Sequence, residues 1–201
     1  MNNLKLAQAV IGLAILALGI TLTIAVEGPD PWGLFILALH RRLPLSLGVT
    51  TQVGGLMLVA VNWVWGRRRP GVATIMSMVL VGLFIDLYNG IMGLEAIDGL
   101  GVRVVVLAAG ITALALGISV YVRAGLGEGP VEGMMFVLSN KLRLGVGPAK
   151  VAQDLSFLVL AWVLGVLPRW GTVVTALSVG PLTQGFLRLF SGMKKAPEAP
   201  K

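Results

Sequence analysis

Apolar stretches of about twenty residues recur along this chain, and a helix of that length spans the hydrocarbon of a bilayer. Six stretches qualify or nearly so: residues 6–26, 45–65, 72–92, 102–122, 151–167 and 172–190. Glycine, proline and charge separate them, at 66–71, 95–103 and 168–171. Lipid offers no hydrogen bonds to a bare backbone, so such segments are expected to be helical. With 56% hydrophobic and only 12% charged residues, the sequence falls outside the soluble globular class. The expected fold is all-α, a polytopic membrane bundle with six transmembrane helices. Lys5 precedes a first run that is longer than a signal-peptide core and lacks an A-x-A cleavage pattern, so that run is expected to stay as a membrane helix. The tail, 193–201, has nothing to bury and is expected to be disordered.

The stretches fall into two halves that echo one another. Ala17-Leu18-Gly19-Ile20 returns about 98 residues later as Ala115-Leu116-Gly117-Ile118. Gly28 and Pro31 return as Gly127 and Pro130, Gly48 as Gly147, Trp63 as Trp162, and Gly66 as Gly165. Thr74 returns as Thr172, and Val81-Gly82 as Val179-Gly180. Matches that keep their order over most of both halves predict a tandem duplication, with repeats at 1–95 and 101–192.

Between the first and second spans of each repeat lies a shorter apolar run, 31–39 and 130–138, about 15 Å long as helix and half the hydrocarbon thickness. Asp30-Pro31 is a good helix start, and Gly129-Pro130 is its weaker equivalent. His40-Arg41-Arg42 and Lys141-Leu142-Arg143 favour helix C-termini. Two half-helices are expected, dipping into the membrane or lying at its surface. Three spans per repeat force the second copy upside down relative to the first, an inverted-repeat topology. With both termini cytoplasmic, Lys5, Arg67, Arg68, Arg69, Arg123, Lys141, Arg143 and Lys150 lie inside, against Arg41, Arg42, Arg103 and Arg169 outside. The alternative, in which the short helices cross to give eight spans and parallel repeats, puts the arginine triplet outside.

The net charge of +7 is spread singly or in short clusters between apolar runs, which suits topology signals better than nucleic acid. With no cysteine and one histidine, disulfides, thiolate metal sites and cysteine nucleophiles are excluded by inventory. No P-loop, dinucleotide fingerprint or metalloprotease motif is present, and His40 has no spacing to a serine that suggests hydrolysis. Neither enzyme activity nor a cofactor is expected. The candidate substrate-binding residues are polar groups inside apolar stretches. Asp86 lies deep in the third span, where an ionisable group costs about 2.5 to 3.5 kcal/mol. Gln184 matches it in the second copy. Gln52, Gln153 and Asp154 lie early in the second span of each repeat, and Lys150 with Asp154 also reads as an interfacial ion pair at a helix start. Gly28 and Gly127, with Glu27, Asp30, Glu128 and Glu132, surround the half-helix starts. Free N–H groups there attract anions, whereas the neighbouring acids fit an amine or zwitterion better, and simple helix capping is the alternative. The tryptophans read mainly as interfacial anchors.

The signature Leu116-Gly117-Ile118, Arg123-Ala124-Gly125-Leu126-Gly127-x-Gly129-Pro130, with Val81-Gly82-Leu83-Phe84-Ile85-Asp86 and its echo Val179-Gly180-Pro181-Leu182-Thr183-Gln184, resembles the YczE-like group of bacterial integral membrane proteins, and more distantly the YitT group. Members typically open the short helix with Gly-Pro-Trp-Asp, whereas this chain has Asp30-Pro31-Trp32-Gly33, with the acid displaced. The resemblance implies a multi-pass protein of the cytoplasmic membrane and small-molecule transport, with amine, amino acid or vitamin B6-like cargo. The expected function is therefore a permease with a substrate site between the repeats. Its partners are expected to be the lipid bilayer and a small-molecule substrate, with a homo-oligomer or a membrane protein partner possible. The alternatives are a membrane accessory or sensor acting through a protein partner, and the substrate-binding subunit of a larger transporter.

Overall fold

The computed structural model describes residues 3–26, 28–45, 47–92, 97 and 99–191. Eight helices follow one another: α1 (Asn3–Ala25), α2 (Pro31–His40), α3 (Leu47–Val64), α4 (Val72–Met92), α5 (Leu100–Arg123), α6 (Pro130–Leu142), α7 (Val146–Val163) and α8 (Trp170–Ser191). No strand occurs among the described residues. Glu27 and the tail 193–201 lie outside them.

Five helices, α1, α4, α5, α7 and α8, are long and apolar enough to cross a bilayer, which makes this a multi-pass membrane protein. The remaining expected span is α3, whose apolar stretch Val49–Val64 is shorter. Helix α7 begins at Val146 rather than at 151, because Pro148 falls in its first turn. No intrahelical acceptor waits for an N–H there, so the missing donor costs nothing. The early start carries Lys150 and Asp154 inside the helix. They form the anticipated ion pair, but at 5% and 1% exposure it is buried rather than interfacial, so Lys150 leaves the tally of topology-setting charges.

Helices α1 and α5 form the central antiparallel pair. Gly12 faces Tyr121, Leu16 faces Gly117, Gly19 faces Leu114, and Thr23 faces Gly110. A Cβ on Gly12, Gly19 or Gly117 would come within 3.0 Å of the opposite backbone. Lipid tails are as apolar as leucine, so membrane helices associate through such close van der Waals approach rather than through the hydrophobic effect. Leu13, Leu16, Leu107, Ile111, Leu114 and Ile118 complete this core. Helix α4 packs on α1, and α8 on α5. The short helices interlace the halves: α2 packs on α7 as well as α3, and α6 packs on α3 as well as α7.

The two halves differ most in one contact. Helices α7 and α8 run packed along each other, whereas α3 and α4 do not.

Candidate functional site

Both short helices begin as their sequences dictate. Asp30 caps α2 by accepting from the Gly33 N–H at 3.4 Å, with Pro31 in the first turn. At α6, Pro130 again occupies the first turn. The N–H of Gly129 donates to the Tyr121 hydroxyl at 3.0 Å, and that hydroxyl in turn donates to the Glu132 carboxylate. Asn62 Nδ2 of α3 donates to the Pro130 carbonyl at 2.8 Å, and Gln153 Nε2 of α7 donates to the Val131 carbonyl at 2.9 Å. The start of α6 is thus held from both sides.

These two starts meet at a cavity of about 260 Å³. Its floor is the middle of the central pair, Leu16 and Ile20 against Leu114 and Ile118. Asp30, Pro31 and Trp32 of the first half and Pro130, Val131 and Glu132 of the second converge on it. Lys150 and Asp154 of α7, Thr175 of α8, Ser77 of α4 and Thr51 and Gln52 of α3 supply further polar groups. Met78, Val81, Gly82 and Ile85 of α4 form an apolar wall. Trp32 adds an aromatic face, fixed edge-on to Phe157 with ring centroids 5.1 Å apart.

Of the four ionisable side chains on this wall, three are carboxylates and one is an ammonium. Lys150 Nζ donates to Asp154 Oδ1, and Asp30 and Glu132 also lie within its field. Asp154 Oδ2 is buried with no hydrogen-bond partner. Buried charge is costly unless paired, so one lysine among three acids leaves room for a further cation or a proton. Among the described residues no cluster of histidine and carboxylate side chains has the makings of a metal site.

Of the residues singled out from sequence, Asp30, Glu132, Asp154 and Gln52 come together at the cavity. The rest are placed elsewhere. Gln153 is buried and ties α7 to α6. Gln184 Oε1 accepts from the Gly147 N–H at 2.9 Å and so caps the first turn of α7. Glu128 pairs with Arg68, and its carbonyl accepts from Thr74 Oγ1 at 2.6 Å, anchoring the loop before α6. Gly28 lies against Gly171, and Gly127, with φ +109°, against Gly71, so both serve close approach of loops to helix starts. Asp86 is exposed on α4 and makes no hydrogen bond or ion pair among the described residues. Sequence reasoning passed over Tyr121, Ser77 and Thr175, and took Trp32 for an interfacial anchor. Ser77 and Thr175 occupy matched places in the two halves, a signal that the repeat comparison contained.

Comparison with known proteins agrees with a membrane protein. The chain is 33% identical over 171 residues to an uncharacterized membrane protein, YczE, of Bacillus subtilis strain 168, covering 84% of this chain and 79% of the relative. An uncharacterized protein of Haemophilus influenzae is 25% identical over 85% of this chain and 77% of its own length. The uncharacterized protein YyaS of Bacillus subtilis is 22% identical over 88% and 89%. No solved structure matches. Residues 4–188 match the family of unknown function DUF6198, and with the YczE relationship over most of its length the chain belongs to that family.

Proposed function

We propose that this protein is a small-molecule permease of the cytoplasmic membrane, its substrate site the cavity where the two half-helix starts meet, its cargo a cation such as an amine, amino acid or vitamin-like compound. One observation carries the reading: a cavity between the halves lined by Asp30, Glu132 and Asp154 against the single ammonium of Lys150. Half-helix termini converging on a polar site inside the bundle are the usual construction of secondary transporters.

In this reading the chain is two inverted repeats, 1–95 and 101–192, with six crossings, two re-entrant half-helices and both termini cytoplasmic. The contacts of the central pair support it. The pairs Gly12–Tyr121 and Gly110–Thr23 interchange when the halves are exchanged, and so do Leu16–Gly117 and Leu114–Gly19. Such reciprocity is what a pseudo-twofold axis between antiparallel copies produces. Transport then needs no covalent chemistry, only exchange of a cation or proton at the carboxylates.

A thermal-shift screen of the purified protein against amines, amino acids and vitamers tests the assignment. A cargo at about 100 times its Kd adds about 2.7 kcal/mol of stability. Glu132→Gln, which keeps an acceptor for Tyr121, is expected to abolish that shift while the unliganded melting temperature stays put. A blank across the screen, with a membrane partner copurifying, would favour the accessory reading instead.

A further inference from the structure

We infer that the cavity is entered sideways from the lipid, between α3 and α4, and that its ligand is an amphipathic amine whose apolar tail leaves through that gap. The inference rests on the cavity being the substrate site and specifies the cargo it accepts.

The cavity is walled unequally. On the second half α7 and α8 are packed together, and the lining residues there, Lys150, Asp154, Thr175 and Val179, are all buried. On the first half Thr51, Gln52 and Gly82 line the cavity and yet are exposed rather than buried. A residue can do both only where the wall is open. A Cβ on Gly82 would meet nothing within 4 Å. Met78 of α4 reaches across the gap toward Gly55 of α3, a contact made by a flexible thioether end rather than by packed backbones.

Depth decides what the gap faces. Gly82 is the midpoint of α4, Val72–Met92, about 15 Å along the helix from either end. Outward neighbours on the same helix, Val79, Leu83 and Leu87, are 55%, 58% and 51% exposed. Such a surface suits acyl chains, so the opening gives onto the hydrocarbon rather than onto water. The wall beside it, Met78, Val81 and Ile85, is apolar, while the acids Asp30, Glu132 and Asp154 stand farther in. A ligand with a cationic head inward and an alkyl tail outward matches both ends. Asp86 fits the same route. It lies one helical turn beyond Gly82 on the same face, exposed, with no partner among the described residues, an acid at the rim to receive an ammonium group arriving through lipid.

The test uses the full chain in lipid nanodiscs and two probes with the same head, propylamine and octadecylamine, the latter dosed by mole fraction in the lipid. An enclosed cavity of this volume has no room for an octadecyl tail. The expected result is that both probes compete for one site, that Glu132→Gln weakens both at least tenfold, and that Gly82→Phe, which fills open space without a clash, weakens octadecylamine at least tenfold. Propylamine binding that octadecylamine cannot displace would overturn the lateral entry and leave the cavity reading standing. Binding of neither probe, with Glu132→Gln changing nothing, would sink both. Because the chain has no cysteine of its own, Gly82→Cys gives one further check. Its ready cross-linking into dimers in the membrane would mean that a second copy covers the gap, and would also overturn the proposal.

Discussion

The helix pairs α3–α4 and α7–α8 are built from stretches of sequence that echo one another, yet one is open and the other closed. Gly180 and Gly82 occupy the same place in the echo. In α8 a Cβ on Gly180 would stand 2.5 Å from the Gly147 carbonyl oxygen and 3.2 Å from Lys150 Cβ. In α4 a Cβ on Gly82 would meet nothing. Matched small residues therefore permit close approach without enforcing it. What brings α8 onto α7 is the remainder of the contact: Gln184 capping Gly147, and the Lys150 stem laid against Gly180. The first half offers Asp86 and Thr51 near those places instead, and its helices stay apart.

The first effect expected from this difference is at the glycines. Gly180→Ala forces two backbones apart and is expected to cost about 1 to 3 kcal/mol, the range for overpacking a tight contact. Gly82→Ala puts a methyl into open space and replaces a poor helix former, so stability is expected to hold or to rise by up to about 1 kcal/mol. Thermal unfolding of the two variants in one detergent measures the difference. Equal losses would mean that α3 and α4 also close on one another.

Next comes the charge inside the closed pair. Lys150→Met leaves Asp154 buried without its cation and is expected to cost about 3 to 5 kcal/mol. The double variant Lys150→Met, Asp154→Leu is expected to recover most of the loss, because removing both members of a buried pair is often close to neutral. Thr51 stands nearest to Lys150 in the alignment of the halves but is exposed, and Thr51→Ala is expected to change stability by no more than about 0.5 kcal/mol. A single variant Lys150→Met as stable as the parent would remove the ion pair from the account of why α7–α8 is closed.

Much of this architecture was legible in the order of residues. Apolar length located the helices, with residues 72–92 and α4 coinciding and the others differing at their ends. Asp30-Pro31 and Gly129-Pro130 marked the starts of α2 and α6, because capping and the fixed φ of proline are local physics. The site was half legible. Asp30, Glu132, Asp154 and Gln52 were conspicuous as polar groups in apolar surroundings, and they line the cavity. Gln153 and Gln184 were equally conspicuous yet serve packing, since a polar residue in a membrane helix satisfies a backbone group as readily as a ligand. Composition carries no information on which neighbour a side chain meets. Trp32 was read with the interfacial tryptophans because sequence gave no sign that α2 is drawn inside the bundle against Phe157.

The smallest expected effect is also the sharpest probe of the comparison. Gln184 and Asp86 are matched in the echo; one caps the neighbouring helix and the other has no partner among the described residues. Gln184→Ala releases the Gly147 N–H and is expected to lower stability by about 1 kcal/mol, as losing a helix cap does. Asp86→Ala gives up nothing in the structure and removes an acid from an apolar surface, so the expected change is within about 0.5 kcal/mol or a gain. Denaturation of both variants in parallel, with and without octadecylamine, separates two roles for Asp86. If Asp86→Ala costs as much as Gln184→Ala in the absence of amine, the carboxylate caps a neighbouring helix in a closed arrangement of α3 and α4. If its cost emerges only with the amine present, as a smaller ligand-induced shift, Asp86 acts on the ligand at the open side of the cavity.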